Sequence, residues 1–228
     1  MSRRNYGQAC SVAGALDRIG ERWSLLIVRE LLLGPLRFSD LARGVGGAPT
    51  DVLTRRLRDL EADGIVRRRR LGPPVGAVVY ELTDVGRELE GPLLDLGRWG
   101  LNFYRLEDAS ELEASWLPNA LRVILEPPSD ATLTVQLRSG DHASILRIAD
   151  GAIGAQRGEA TAPDLTLAGS PRGVIAALVL ADDRERVEIE GSPAALERLR
   201  AMVRLPDRLR EEVTAGQRAA RAPSPSRA

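Results

Sequence analysis

Between Pro49 and Leu82 the chain reads PTDVLTRRLRDLEADGIVRRRRLGPPVGAVVYEL, a succession that few folds accommodate. Leu53, Leu57 and Leu60 recur at the period of a helix with one apolar side, which turns Asp51, Thr54, Arg55 and Arg58 away from the core. Gly64 ends that helix, and Ile65-Val66 opens a strand that continues through Arg67, Arg68, Arg69 and Arg70. The segment Gly72-Pro73-Pro74-Val75-Gly76 then turns the chain back into a second strand, Ala77 to Leu82. A short basic helix followed directly by a basic hairpin is the layout of a DNA-reading helix and its wing.

Double-stranded DNA is therefore the expected partner. Cations at phosphate spacing release counterions, and polar side chains near the start of a reading helix meet base edges in the major groove. Thr50, Thr54 and Arg55 stand where base contacts fall, Arg56 and Arg58 where the backbone passes, and Arg67, Arg68, Arg69 and Arg70 are candidates for flanking phosphates. The bland reading is a solvated helix face laced by pairs to Asp51, Asp59 and Asp63, with an edge strand protected by charge. Total charge does not decide between them, because 32 basic and 32 acidic residues cancel. Local charge alone leaves the two readings even, although residues 1–105 hold 17 arginines and 13 acids, so that the front of the chain is its basic part. Every basic residue is arginine.

Upstream, apolar residues at helical spacing over Val12 to Ile19 and Trp23 to Leu33 predict two helices, and Arg37 to Arg43 a short third. Downstream, Thr83-Asp84 can cap a long helix from Val85 to Leu106 with an apolar stripe of Leu89, Leu93, Leu96, Trp99, Gly100 and Phe103. So much apolar surface needs a cover, either a second copy of the chain or the chain's own later part. We expect a homodimer formed through the Val85–Leu106 helix and the N-terminal helix.

Beyond Asp108 the pattern changes. After a helix at Leu112 to Leu125, strands are predicted at Thr132 to Arg138, Ala143 to Ile148, Ala152 to Arg157 and Asp164 to Ala168. A helix from Ser170 or Pro171 to Ala181, a strand at Val187 to Ile189 and a helix from Ser192 to Val203 complete the series. The expected fold class is α+β: an N-terminal winged helix-turn-helix domain, 1–106, then an antiparallel sheet covered by helices, 107–215. The Ala-, Arg-, Pro- and Ser-rich end, Gly216 to Ala228, reads as a disordered tail.

Two resemblances sharpen this. Cys10 with Val12, Ile19-Gly20-Glu21-Arg22-Trp23, Leu26-Ile27, Arg29-Glu30-Leu31, Gly34, Arg37-Phe38, Leu41, Leu53-Thr54, Arg56-Leu57, Leu60-Glu61, Gly64, Tyr80, Leu82-Thr83, Gly86 and Trp99-Gly100 follow one another as in the HxlR family. These are bacterial transcription regulators related to the MarR-like winged-helix proteins. The chain departs from the usual pattern at Ser11, where proline is common, and at Glu21-Arg22-Trp23, where Gly-Lys-Trp is common. Residues 117–205 resemble a sterol-carrier-protein-like domain through the strand series, Ala162-Pro163-Asp164-Leu165-Thr166-Leu167, and Val187-Glu188-Ile189-Glu190-Gly191-Ser192. That resemblance implies helices on a sheet and an apolar small-molecule effector; the ligand-binding residues are unknown.

Cys10, the only cysteine, excludes an internal disulfide and points to the cytosol. It carries two readings: the HxlR resemblance implies a thiol that senses oxidants or electrophiles, whereas a free cysteine is by habit a small buried hydrophobe. Asp17 and Arg18 interrupt the apolar run Ala9 to Leu16 that superficially suggests an export signal, and no segment approaches a membrane span. His142 is the only histidine, and no nucleophile elbow, phosphate loop or dinucleotide fingerprint occurs. We expect a cytoplasmic, non-enzymatic regulator without metal or cofactor. The alternative is a lipid-binding carrier whose front half serves as a docking module.

Overall fold

The computed structural model describes residues 5–72, 76–105, 112–180 and 186–212. Arg3, Arg4, the hairpin tip at 73–75, Leu106, Ala181 and the tail from Gly216 lie outside the described residues. The chain divides into two compact units, Met1–Leu93 and Leu94–Ala228.

The first unit begins with α1 (Ser11–Ile19), α2 (Ser24–Leu31) and α3 (Phe38–Val45), followed by α4 (Thr50–Ala62) and a hairpin of β1 (Val66–Arg70) and β2 (Val78–Leu82). Leu53, Leu57 and Leu60 of α4 are buried against Ile27, Val28 and Leu31 of α2 and Leu41 and Val45 of α3. Each such leucine contributes about 2 kcal/mol, whereas exposed ion pairs contribute about 0–1 kcal/mol. The leucines therefore set the rotation of α4 and with it the direction of every arginine on the helix. Residue 36 adds an element that periodicity does not reveal, for Leu36 and Tyr80 exchange two backbone hydrogen bonds of 3.0 and 2.8 Å and give β2 a second neighbour.

The joint between α4 and the hairpin is closed by local chemistry. Gly64, in the left-handed region at φ +69°, lets its N–H reach the carbonyl of Glu61 and that of Ile65 reach Leu60, the paired bonds of a Schellman motif. The Thr83 hydroxyl donates to the carbonyl of Gly64 and accepts from the Gly86 amide at 3.1 Å. Helix end, strand start and strand exit thus converge within a few residues.

The long helix expected from Val85 to Leu106 is two pieces: α5 (Asp84–Arg87), capped by Thr83, and α6 (Glu90–Gly100), separated by a turn. Pro92 supplies the reason, because it has no N–H to give the carbonyl four residues before it, and Gly91 beside it lowers helix propensity further. The boundary between the two units falls inside α6.

In the second unit a 3-10 turn (Ala114–Trp116) leads into α7 (Leu117–Ile124). There follow β3 (Leu133–Ser139), β4 (His142–Ala149), β5 (Ala152–Arg157), β6 (Leu165–Ala168), α8 (Pro171–Val179), β7 (Glu188–Gly191) and α9 (Pro193–Ala201). The sheet order is β5-β4-β3-β6-β7. It is mixed and not antiparallel as expected, since β6 runs parallel to β3 with Val135 opposite Leu165. The chain leaves β5 at one edge and crosses to the far side of β3. Gln136 fixes that crossing by donating to the carbonyls of Ser144 and Gly158 and accepting the Ala160 amide at 2.7 Å. Val135, Leu137, Leu146, Ile148, Leu165 and Leu167 pack with Leu121, Val174 and Leu199 of the helices, which makes a single apolar layer.

Candidate nucleic-acid interface

The start of α4 is prepared by Gly46 and Gly47, both in the left-handed region, and Pro49 serves as its N-cap. Thr50 is the first helical residue and is exposed. Thr54, half-buried, donates its hydroxyl to the Thr50 carbonyl at 2.7 Å, so only its oxygen lone pairs remain for a ligand. Arg55 and Arg58 are exposed and make no ion pair or hydrogen bond among the described residues. Arg56 behaves differently: its side chain is 13% exposed and lies 3.0 Å from Asp59 and 3.3 Å from Glu21. Its charge is met within the protein, where it ties α4 to the loop before α2. The compensation that charge alone suggested for the whole helix applies to this arginine.

On β1 the four arginines alternate across the strand, with Arg67 opposite Glu81 and Arg68 opposite Tyr80. Arg67 Nε donates to one carboxylate oxygen of Glu81 at 2.8 Å and Arg69 Nε to the other at 2.9 Å. On the opposite face Arg68 Nε donates to Glu61 of α4 at 3.1 Å, and Arg70 Nε to the Gly76 carbonyl at 3.4 Å. All four remain exposed. Burial opposes ionisation of Glu81, but hydrogen bonds and charge from Arg69 and Arg67 outweigh it and hold the carboxyl below the ordinary range. Glu61 and Glu81 are the site residues that the sequence reading passed over. A glutamate directly across a hairpin from an arginine was the available signal.

Cys10 is exposed at the N-terminus of α1, which overturns the buried reading. No hydrogen bond formally caps the helix there, yet the amides of Ala13 and then Val12 lower the thiol pKa. The backbone N–H groups at the start of the helix are the source of the effect. Trp99 is likewise no core residue. It is 61% exposed and packs edge-on against Phe103, itself 69% exposed, with ring centres 4.9 Å apart. Trp23 is half-buried at φ +80°, with the Arg22 guanidinium 4.8 Å from its ring centre. His142 is exposed at the start of β4. Among the described residues no group of three or more His, Cys, Asp or Glu is placed to hold a metal, and no helix is long and apolar enough to cross a membrane.

Comparison with known proteins agrees with this geometry. The model of the HxlR-like helix-turn-helix family matches residues 18–108, the stretch that holds α2 to α6 and the hairpin. The uncharacterized HTH-type transcriptional regulator YtcD of Bacillus subtilis is 38% identical over 102 residues, 45% of this chain and 79% of YtcD. Mb3122 of Mycobacterium bovis, an uncharacterized HTH-type transcriptional regulator, is 40% identical over 100 residues, 44% of this chain and 61% of that protein. Among solved structures, the redox regulator HypR in its oxidized form is 36% identical, covering 42% of this chain and 98% of HypR, with a TM-score of 0.39. With its reading helix and hairpin inside the matched segment and most of YtcD's length aligned to it, the chain belongs to the HxlR-like helix-turn-helix family.

Proposed function

We propose that this protein is a homodimeric transcription regulator that binds a specific DNA sequence through α4 and the β1–β2 wing. The observation that carries the reading is the pairing pattern: Arg55 and Arg58 on the outer face of α4 are uncompensated among the described residues, beside a wing whose four arginines all stay exposed. Thr50, Thr54 and Arg55 are assigned to base edges, and Arg58, Arg67, Arg68, Arg69 and Arg70 to phosphates. Arg56 serves chiefly to seat the helix. If about four of the five arginines assigned to phosphates in each protomer meet one at once, a dimer neutralises about eight phosphates, and the slope of log K against log salt is near about −7. Its two half-sites lie about one helical turn apart, about 34–36 Å. Selection of bound sites from random DNA tests the reading: a recovered pseudo-palindrome is expected, and enrichment of no sequence over the input pool refutes specific recognition.

The dimer is assigned to α6 and α1. Gly97 faces Val123 so closely that no side chain fits between, and Leu101 packs on the second unit's core, while Leu96, Trp99 and Phe103 stay exposed. The helix thus serves two covers: its own later part on one side and, we infer, a second copy on the other. Val12 and Leu16 give α1 an exposed apolar side as well. Trp99→Glu is expected to yield monomers at micromolar concentration by light scattering, with unchanged circular dichroism; an unaltered dimer mass excludes this surface.

Control is assigned to two places. Cys10, exposed and with a lowered pKa, has the properties of a reactive thiol. Mild peroxide is expected to release DNA from the native protein and leave Cys10→Ser bound; release from both removes Cys10 from the mechanism. The second unit, a sheet with helices and a core of its own, is the proposed seat of an apolar effector, for which native mass spectrometry would reveal a retained ligand. Such a molecule changes DNA affinity only if it prefers one dimer geometry over another.

A further inference from the structure

The arginines of β1 are held in an unusual way. Glu81 receives Arg67 on one oxygen and Arg69 on the other, each through Nε alone. Among the described residues the terminal Nη groups of both guanidiniums make no hydrogen bond. The acid itself is 8% exposed at its side chain, whereas Arg67 and Arg69 are 59% and 46% exposed. A carboxylate that merely neutralised an arginine would be free to engage it end-on through both parallel N–H groups. Here the contact is side-on, so the carboxylate restricts the side chain while the groups best suited to a phosphate stay available. Arg67 and Arg69 are two residues apart on one face of a strand, about 7 Å along it, so the two guanidiniums form a pair.

We propose that Glu81 is a positioning residue for the wing, which fixes Arg67 and Arg69 by their Nε–H groups so that their Nη groups meet the phosphodiester backbone of DNA together. The proposal rests on the DNA-binding reading above. Its force lies in the sign of its consequence. Removing an acid close to DNA ordinarily strengthens binding, because one repulsive charge is gone. A positioning role predicts the reverse, since two flexible side chains must then be ordered at the moment of binding.

Fluorescence anisotropy tests this with two labelled duplexes of equal length, one carrying the strongest site recovered by selection and one of random sequence. Glu81→Gln is expected to weaken binding about tenfold on both duplexes, with a salt slope shallower by about 2 for each protomer. In an Arg67→Ala/Arg69→Ala background the same change is expected to cost nothing. Arg67→Lys/Arg69→Lys preserves the charge, leaves the glutamate in place and removes the Nε–H groups; it is expected to lose about tenfold as well, which covers the case in which Glu81→Gln does not fold. Binding by Glu81→Gln that equals or exceeds the native protein, with a steeper slope, overturns the proposal, as does an equal loss in the background lacking both arginines. Failure of the native protein to bind either duplex is a different result and overturns the DNA-binding reading itself.

Discussion

Alanine at both Arg55 and Arg58 is expected to abolish sequence-specific binding while leaving the fold intact. Arg55 stands near the start of α4 on its exposed face, and loss of one base-reading arginine costs about 1–3 kcal/mol at each half-site. The proposed dimer would read two half-sites, so loss of Arg55 alone is expected to cost roughly 2–6 kcal/mol, and selection with Arg55→Ala should show relaxed preference at one position of each half. Arg58 is assigned to a phosphate; its loss weakens all sequences alike and makes the salt slope shallower by about 1 per protomer. Neither side chain has a bond to lose among the described residues, so stability should change by no more than ordinary surface substitutions cause, about 0.5 kcal/mol. Retained specificity in the double variant removes α4 as the reading helix.

Gly86→Ala is expected to have the largest effect on stability. A methyl group there would lie 2.1 Å from the Ile65 carbonyl oxygen and 3.2 Å from Leu82 Cδ2, and that carbonyl already accepts the Thr83 amide at 3.0 Å. The obstacle is backbone, which cannot swing aside as a long side chain would. We expect a loss of about 3 kcal/mol from overpacking and weakened hydrogen bonds, which for a unit spanning Met1–Leu93 lowers the melting midpoint by about 12–24 °C. Gly91→Ala is the control. Nothing lies within 4 Å of its added methyl, so the same chemical change in α6 should be neutral or slightly stabilising. Equal midpoints for the two variants would mean that the Thr83–Gly86 joint carries no special constraint.

Much of this architecture is legible in the residues. Spacing of Leu53, Leu57 and Leu60 reports which side of α4 is buried, and alternation in Leu133, Val135 and Leu137 reports the buried side of β3, because burial is what periodicity records. Partners are another matter. Nothing in Leu165 to Ala168 says that the strand runs parallel to β3, since this depends on a crossing held by Gln136 from elsewhere in the sheet. The division of the basic residues was equally hidden. Arg55, Arg56 and Arg58 look alike in sequence, and only the position of Glu21 and Asp59 separates Arg56 from the other two. Cys10 escaped for a related reason: exposure of a small side chain at a helix start follows from which face of α1 is turned inward, and only Ala13 of that helix is buried.

The joint at Gly64, Thr83 and Gly86 bears on how such a regulator can be switched. The end of α4 and the base of the hairpin share their hydrogen bonds, which ties helix and wing into one piece. On the proposed reading, a trigger that acts elsewhere finds little freedom with which to alter the letters that this piece would recognise. What remains adjustable in a dimer is the distance and angle between two such pieces. Operators with lengthened or shortened spacers are therefore where on and off states should part company, with the same half-site preferred in both.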